Sequence, residues 1–224
     1  MCMRKQPHQR RRPGRPSHDG DLKETILDHA EIVFAERGYS GAKTREIAAN
    51  AGVNQALIRY YFGDKESLFD EVFRRRGGIL SGTRHVLLDK LLEEAERPAV
   101  EAIVKAYLQP QWDMKYSNEN GASFVRLQAR LHAEQEEHAL RLRREVYDAS
   151  VRRYIDALQT AMPGISRDLL SVRMAFLVGT YMFMLNDLGR IGDLTEGKVS
   201  SLSKEAMLEN LVAFLSAGLR APAS

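Results

Sequence analysis

Cysteine is all but missing from this 224-residue chain, Cys2 being the only one. No internal disulfide framework can form, and a reducing cytoplasm is the expected setting. Long apolar runs are missing too. The longest near-continuous one, Met174 to Leu185, is 12 residues, against the ~20 of a bilayer-spanning helix. The basic N-terminus has no apolar stretch of the kind a signal peptide carries, so no membrane partner is expected. No repeat period is found, which sets solenoids aside. The seven prolines sit mainly in the tails and between apolar segments, which suits an all-α chain. There is no Gly-rich phosphate loop, no positioned nucleophile and no convincing metal set, so neither an enzyme nor a cofactor is expected. His132, Glu134, Glu136, Glu137 and His138 form the one conceivable metal cluster, and they read better as a solvated charged turn.

Charge of one sign is scarce outside one segment. The net charge is +3, yet residues 1–20 hold six Lys or Arg against one Asp, leaving 27 basic and 29 acidic residues for the remainder. The positive field is a tail. With 44% hydrophobic residues, the nearly neutral body can build a real core.

The most informative stretch is Thr44 to Lys65, TREIAANAGVNQALIRYYFGDK. Thr44 can cap a first short helix, with Ile47, Ala48 and Ala51 on its inner face. Gly52 ends that helix in the left-handed region and Val53 plugs the bend. Asn54 caps a second helix with Leu57, Ile58, Tyr61 and Phe62 as its apolar positions. Two helices joined by a short turn containing Gly make a helix-turn-helix, whose second helix enters the DNA major groove. An ordinary helical hairpin would not need the opposite face of that second helix, Gln55, Ala56 and Arg59. Gln pairs with adenine, Ala meets a thymine methyl, and Arg forks onto guanine. Thr44, Tyr60, Tyr61 and Lys65 add donors suited to phosphates.

The longer segment Ile26 to Phe69, ILDHAEIVFAERGYSGAKTREIAANAGVNQALIRYYFGDKESLF, resembles the DNA-binding domain of the TetR (tetracycline repressor) family of bacterial transcription regulators. The resemblance implies base contacts from Arg45, Gln55, Ala56 and Arg59. It implies phosphate contacts from Thr44, Tyr60, Tyr61, Lys65 and the backbone of Leu57. Lys43 stands where many members have a hydroxyl residue, and Arg59 where Tyr is common.

Three regions follow: a disordered basic arm (1–18), a helix-turn-helix domain (19–64) and a helical ligand-binding and dimerisation domain (65–224). The arm carries RRRPGRPS, and Arg12 and Arg15 are placed to lie along phosphates or in an adjacent minor groove. A solubilising tail is the plainer alternative. The first helix spans Leu22 to Arg37 and stops at Gly38. A fourth begins at Lys65, with a break expected at Gly77-Gly78. Pro98 opens a fifth that ends near Pro110, followed by a loop-like segment holding Trp112 and closing at Asn120-Gly121. Further helices are expected from Ala122 to Glu134, Glu137 to Ala161, Ser166 to Gly189 and Lys204 to Leu219.

The helix after Ser166 is apolar nearly all round, so it must be covered on more than one side. Few elements remain to cover it and the last helix. A two-fold dimer solves this by packing both helices from each subunit, with Phe176, Phe183, Leu208, Leu211, Phe214 and Leu215 as interface residues. The family pairs in this way, which implies a palindromic operator. The preceding segments could enclose a cavity like the family's ligand site, lined by Tyr107, Trp112, Phe124, Leu127, Gln128, Tyr147, Val151, Met174, Val178 and Met182. Arg126, Arg130 and Asn186 are its candidate polar anchors, and the ligand is expected to be largely apolar. The reading is an all-α homodimeric repressor that a small molecule releases from a palindromic double-stranded operator. An ungated dimeric DNA-binding protein and a helical enzyme using the pocket remain the alternatives.

Overall fold

The computed structural model describes residues 18–133, 137–186, 190–198 and 203–222, apart from the side chains at 18, 19, 132 and 133. Arg12 and Arg15 lie outside the described residues, as do Glu134 and Glu136. Among the described residues every regular element is a helix: α1 (His18–Gly41), α2 (Thr44–Asn50), α3 (Gln55–Phe62), α4 (Lys65–Glu94), α5 (Val100–Ser117), α6 (Glu119–Ala133), α7 (Glu137–Ala161), α8 (Arg167–Leu185), α9 (Arg190–Leu194) and α10 (Lys204–Leu219).

Two apolar clusters hold these helices. The first joins Ile26, Ala30 and Phe34 of α1 to Ile47, Ile58, Phe62, Phe69 and Phe73 of α2, α3 and α4. It also takes in Phe124, Leu127 and Leu131 of α6 and Leu142 of α7, so the first three helices are seated on the body. The second is built from α5, α7, α8 and α10, including Ile103, Tyr154, Leu170, Leu177, Leu208, Leu211 and Leu215.

α4 runs unbroken through Gly77-Gly78, against expectation. Gly77 permits a close crossing of α7. A Cβ there would fall 2.2 Å from Val146 Cγ1, and Ser81 Oγ donates to the Val146 carbonyl at 2.9 Å. Gly121 works the same way, inside α6 rather than ending a loop: a Cβ on it would lie 2.0 Å from the Met114 carbonyl oxygen. Here glycine is selected by a neighbouring helix rather than by a break.

Pro110 does not end α5. An interior proline lacks the N–H that closes its turn. The carbonyl left without that partner is that of Ala106; the next two accept from buried side chains, Tyr107 O from Arg84 Nε at 2.8 Å and Leu108 O from the Tyr181 hydroxyl at 2.5 Å. Trp112 is helical and buried. Pro98 precedes the helix, whose N-cap is Ala99.

α8 is long and apolar enough, by length and composition, to cross a membrane. The 12-residue apolar run from Met174, counted alone, understates it, because the helix begins a full two turns earlier at Arg167. Here its inner side, Leu170, Met174, Leu177 and Tyr181, lies in the second cluster. Its Arg173 donates to the Leu219 carbonyl at 2.7 Å and the Pro222 carbonyl at 3.1 Å, closing the end of α10.

Ion pairs tie the helices at the edges. Glu31, fully buried on α1, accepts from Arg75 at 3.2 Å and Arg76 at 2.9 Å of α4. Arg75 also reaches Glu24 and Asp28. Glu101 on α5 receives both Nη groups of Arg220, just beyond α10. That bond, with a backbone amide, pulls the Glu101 carboxyl from 4.5 to about 2. A folded-state value below the unfolded one stabilises above pH 4.5 and is lost as pH falls toward 2. Glu101→Gln should flatten stability between these limits, by a small amount because the pair is exposed. Acid unfolding of both proteins, followed by circular dichroism, checks this.

Candidate nucleic-acid interface and ligand cavity

The turn between α2 and α3 is set by Gly52, whose φ of 66° is open to glycine at no steric cost. Val53 N donates back to Ala48 O at 2.9 Å. Asn54 caps α3, its side chain accepting from Ala56 N at 2.8 Å. At α2 the cap is Lys43, without a side-chain bond, and Thr44 is already helical. The Thr44 hydroxyl instead accepts from Gln55 Nε2 at 2.9 Å, fastening the start of α3 to α2. Ile58 and Phe62 are buried, while Gln55, Ala56, Arg59 and Tyr60 are exposed together with Arg45. Neither Arg45 nor Arg59 makes an ion pair among the described residues.

Two of the expected phosphate donors are already engaged. Lys65 Nζ donates to the carbonyls of Tyr39 at 2.9 Å and Ala42 at 3.3 Å, and lies 4.5 Å from the Tyr39 ring. It binds the start of α4 to the end of α1, though it still borders the depression that also holds Thr44, Gln55 and Arg59. The Leu57 amide donates to Asn54 O at 2.9 Å. Tyr61 is half-buried against the first cluster, edge-on to the exposed Tyr60.

In the body, a cavity of about 320 Å³ lies among α4, α5, α6, α7 and α8. It brings together six of the residues expected there: Tyr107, Gln128, Tyr147, Val151, Val178 and Met182. Met174 lines an adjoining, more open apolar groove that shares Val151, Val178 and Met182. The others fall elsewhere. Trp112, Phe124 and Leu127 are packed into the two clusters. Arg126 is exposed and donates to Ser123, exposed Arg130 reaches the Glu36 carbonyl, and Asn186 caps α8. Each has its polar group committed outside the cavity.

The buried arginine of the cavity carries no signal in the sequence. Arg84 on α4 is 2% exposed. Its guanidinium stacks 3.8 Å from the Tyr107 ring centroid, and Nη2 donates to Gln111 Oε1 at 3.2 Å. Gln111 in turn donates to Gln128. Burial pushes the hydroxyls of Tyr147, Tyr154 and Tyr181 up, outweighing the lowering by Arg84, and all three are neutral at physiological pH. Of His132, Glu134, Glu136, Glu137 and His138 around the start of α7, only Glu137 and His138 have described side chains. His138 Nε2 lies 2.5 Å from Asp70 Oδ1 of α4, with Arg74 and Arg141 also on Asp70.

On the outer surface, Phe176, Phe183 and Phe214 are 67%, 58% and 69% exposed. Leu208, Leu211 and Leu215, expected beside them in an interface, turn inward and are buried within one chain. α10 therefore needs no partner to cover those three, and its outward apolar group is Phe214.

Comparison with known proteins places both halves. A family described as "Bacterial regulatory proteins, tetR family" matches residues 26–72, and "Tetracyclin repressor-like, C-terminal domain" matches residues 105–218. The HTH-type transcriptional repressor Rv3405c of Mycobacterium tuberculosis is 28% identical over 108 residues, 46% of this chain and 57% of that relative. The chain thus spans little more than half the length of that curated relative. Among solved structures, HlyIIR, a hemolysin II transcriptional regulator, is 20% identical with a TM-score of 0.63, covering 88% of this chain and 98% of the other. The fatty acid degradation regulator FadR of Bacillus halodurans is 18% identical with a TM-score of 0.66, covering 92% and 99%. These likenesses speak to the fold. With half of its length matched by the C-terminal model and the helix-turn-helix by the other, the chain belongs to the TetR family of bacterial transcriptional regulators.

Proposed function

We propose that this protein is a cytoplasmic homodimeric repressor that reads a palindromic operator with α3 and lets it go when a small molecule occupies the cavity. Residues 19–64 act as the reading unit and residues 65–224 as the sensing and pairing unit. The observation that carries the reading is α3 itself. One side is buried through Ile58 and Phe62, while the other presents Gln55, Ala56 and Arg59 to solvent. Apart from the Gln55 bond to Thr44, such a face takes no part in the packing, and it matches the hydrogen-bonding edges of the major groove. Arg45 from α2 stands with it, and Tyr60 and Tyr61 flank it.

Dimerisation rests on the exposed phenylalanines of α8 and α10. A two-fold pair would set two α3 helices on half-sites roughly 34–36 Å apart, or a multiple of this. Release follows from linkage: a ligand that prefers another separation of the α3 helices weakens DNA binding by its differential affinity.

Gel shifts with the DNA flanking the coding sequence, at about 0.15 M salt with competitor, test this, because nonspecific phosphate contacts fade steeply with salt. Arg59→Ala should cost about 1–3 kcal/mol on the cognate site and relax preference at one base pair. Lys65→Ala should weaken cognate and scrambled DNA alike, because it loosens the seat of the whole reading unit. Equal losses on both DNAs for Arg59→Ala would sink its base-reading role.

A further inference from the structure

We infer that the cavity is built for an amphipathic anion, its negative head held by Arg84 and its apolar body running past Val151, Val178 and Met182 into the groove beside Met174. This deepens the proposed sensing role and rests on it. Arg84 carries a guanidinium withdrawn from water, a placement that is costly unless a negative group faces it. None is paired with it: among the described residues Arg84 makes no ion pair, and Asp148, the acidic residue in the same cavity wall, is bound to Arg152 at 3.0 Å. Nor do the tyrosines supply a charge, since Tyr107 offers its ring face and a carbonyl, and the hydroxyls of Tyr147, Tyr154 and Tyr181 stay protonated.

Geometry says what the missing group is. A guanidinium has five N–H donors in a planar fork. Nε is directed to the Tyr107 carbonyl and one Nη2 hydrogen to Gln111. Those bonds, and the stacking on Tyr107, hold the plane still and leave donors for an oxyanion, the partner a fork binds most strongly. Gln111 is itself braced by Gln128, so the head-group site is rigid before anything enters. The wall shared with the groove has the opposite chemistry. Val151, Val178 and Met182 belong to both the cavity and the neighbouring groove, whose other walls are Ser171, Met174, Ala175 and Gly179. A head alone would leave that passage empty, and a body without a head would leave the arginine unanswered.

The test uses the full-length protein and four ten-carbon probes: decanoate, decyl phosphate, 1-decanol and decyltrimethylammonium. Binding is read by calorimetry and by thermal shift. Decanoate or decyl phosphate should bind at least about thirtyfold tighter than decanol, and the better of the two identifies the head as carboxylate or phosphate. Arg84→Met should abolish that preference while leaving decanol binding in place, with circular dichroism confirming the fold. Should the variant fail to fold, the wild-type ranking alone decides. Equal binding of anion and alcohol, preference for the cation, or no binding by any probe overturns the inference. Operator binding without ligand is measured in parallel. If it persists while the anions fail, the head-group assignment falls and the regulator reading stands; if the protein shifts no DNA, the reading beneath it falls.

Discussion

Changing Phe176 and Phe214 together to aspartate is expected to yield a folded monomer and to weaken operator binding at least ~100-fold. The reasoning starts from exposure. Large aromatic rings two-thirds open to water on adjoining helices are the kind of anchor that dominates interface energetics. Neither ring supports the chain's own core, whose nearby members are Leu177, Leu211 and Leu215. Charge at these two positions therefore spares the fold and opposes pairing. The loss on DNA follows from valency: a monomer meets one half-site and forfeits the effective concentration that ties the second contact to the first. Light scattering gives the mass and a gel shift the affinity. A variant that remains dimeric removes this face from consideration.

The second large effect is expected at Gly121. A methyl group there meets the Met114 carbonyl oxygen at 2.0 Å, and backbone cannot swing aside as a side-chain tip can. Gly121→Ala should lose about 3 kcal/mol, which for a chain of this size lowers Tm by roughly 6–12 °C. Gly78→Ala is the matched control. It sits in mid-helix with nothing near the added methyl, so it should gain up to about 1 kcal/mol from helix propensity alone. Parallel melts distinguish the two, and similar values for both would refute the packing account of Gly121.

These glycines also mark where the sequence misleads. The helix-turn-helix is legible because its signals are local: Asn54 caps within its own turn, Gly52 takes its left-handed φ, and Ile47, Ile58 and Phe62 repeat at helical spacing. Gly77, Gly121 and Pro110 read as breaks for an equally local reason, yet all three lie inside helices, and the two glycines are decided by a neighbouring helix, through Val146 and the Met114 backbone. Arg84 itself is invisible, because a lone arginine in a polar helix reads as solvated until its neighbours are known. The cavity's apolar wall is readable in part, through Val151, Val178 and Met182, since such residues must face inward somewhere. Its charge is not. The outer face of α10 is half readable: period alone puts Leu208 and Phe214 on one broad apolar stripe, and only the packing against α5 separates the inward leucines from the outward ring.

An unbroken α4 has a mechanical consequence. The 19 residue steps from Arg84 back to Lys65 make a stiff rod about 28 Å long, with the cavity at one end and the reading unit at the other. Midway, Arg75 and Arg76 clasp Glu31 of α1, so whatever turns the rod carries α1 with it. A tilt of only about 5° at the cavity displaces the far end by about 2.4 Å over that length, comparable to the span of a hydrogen bond. A break at Gly77-Gly78 would absorb such a tilt as a joint. Continuous helix, with Gly77 in close contact with α7, leaves no such joint.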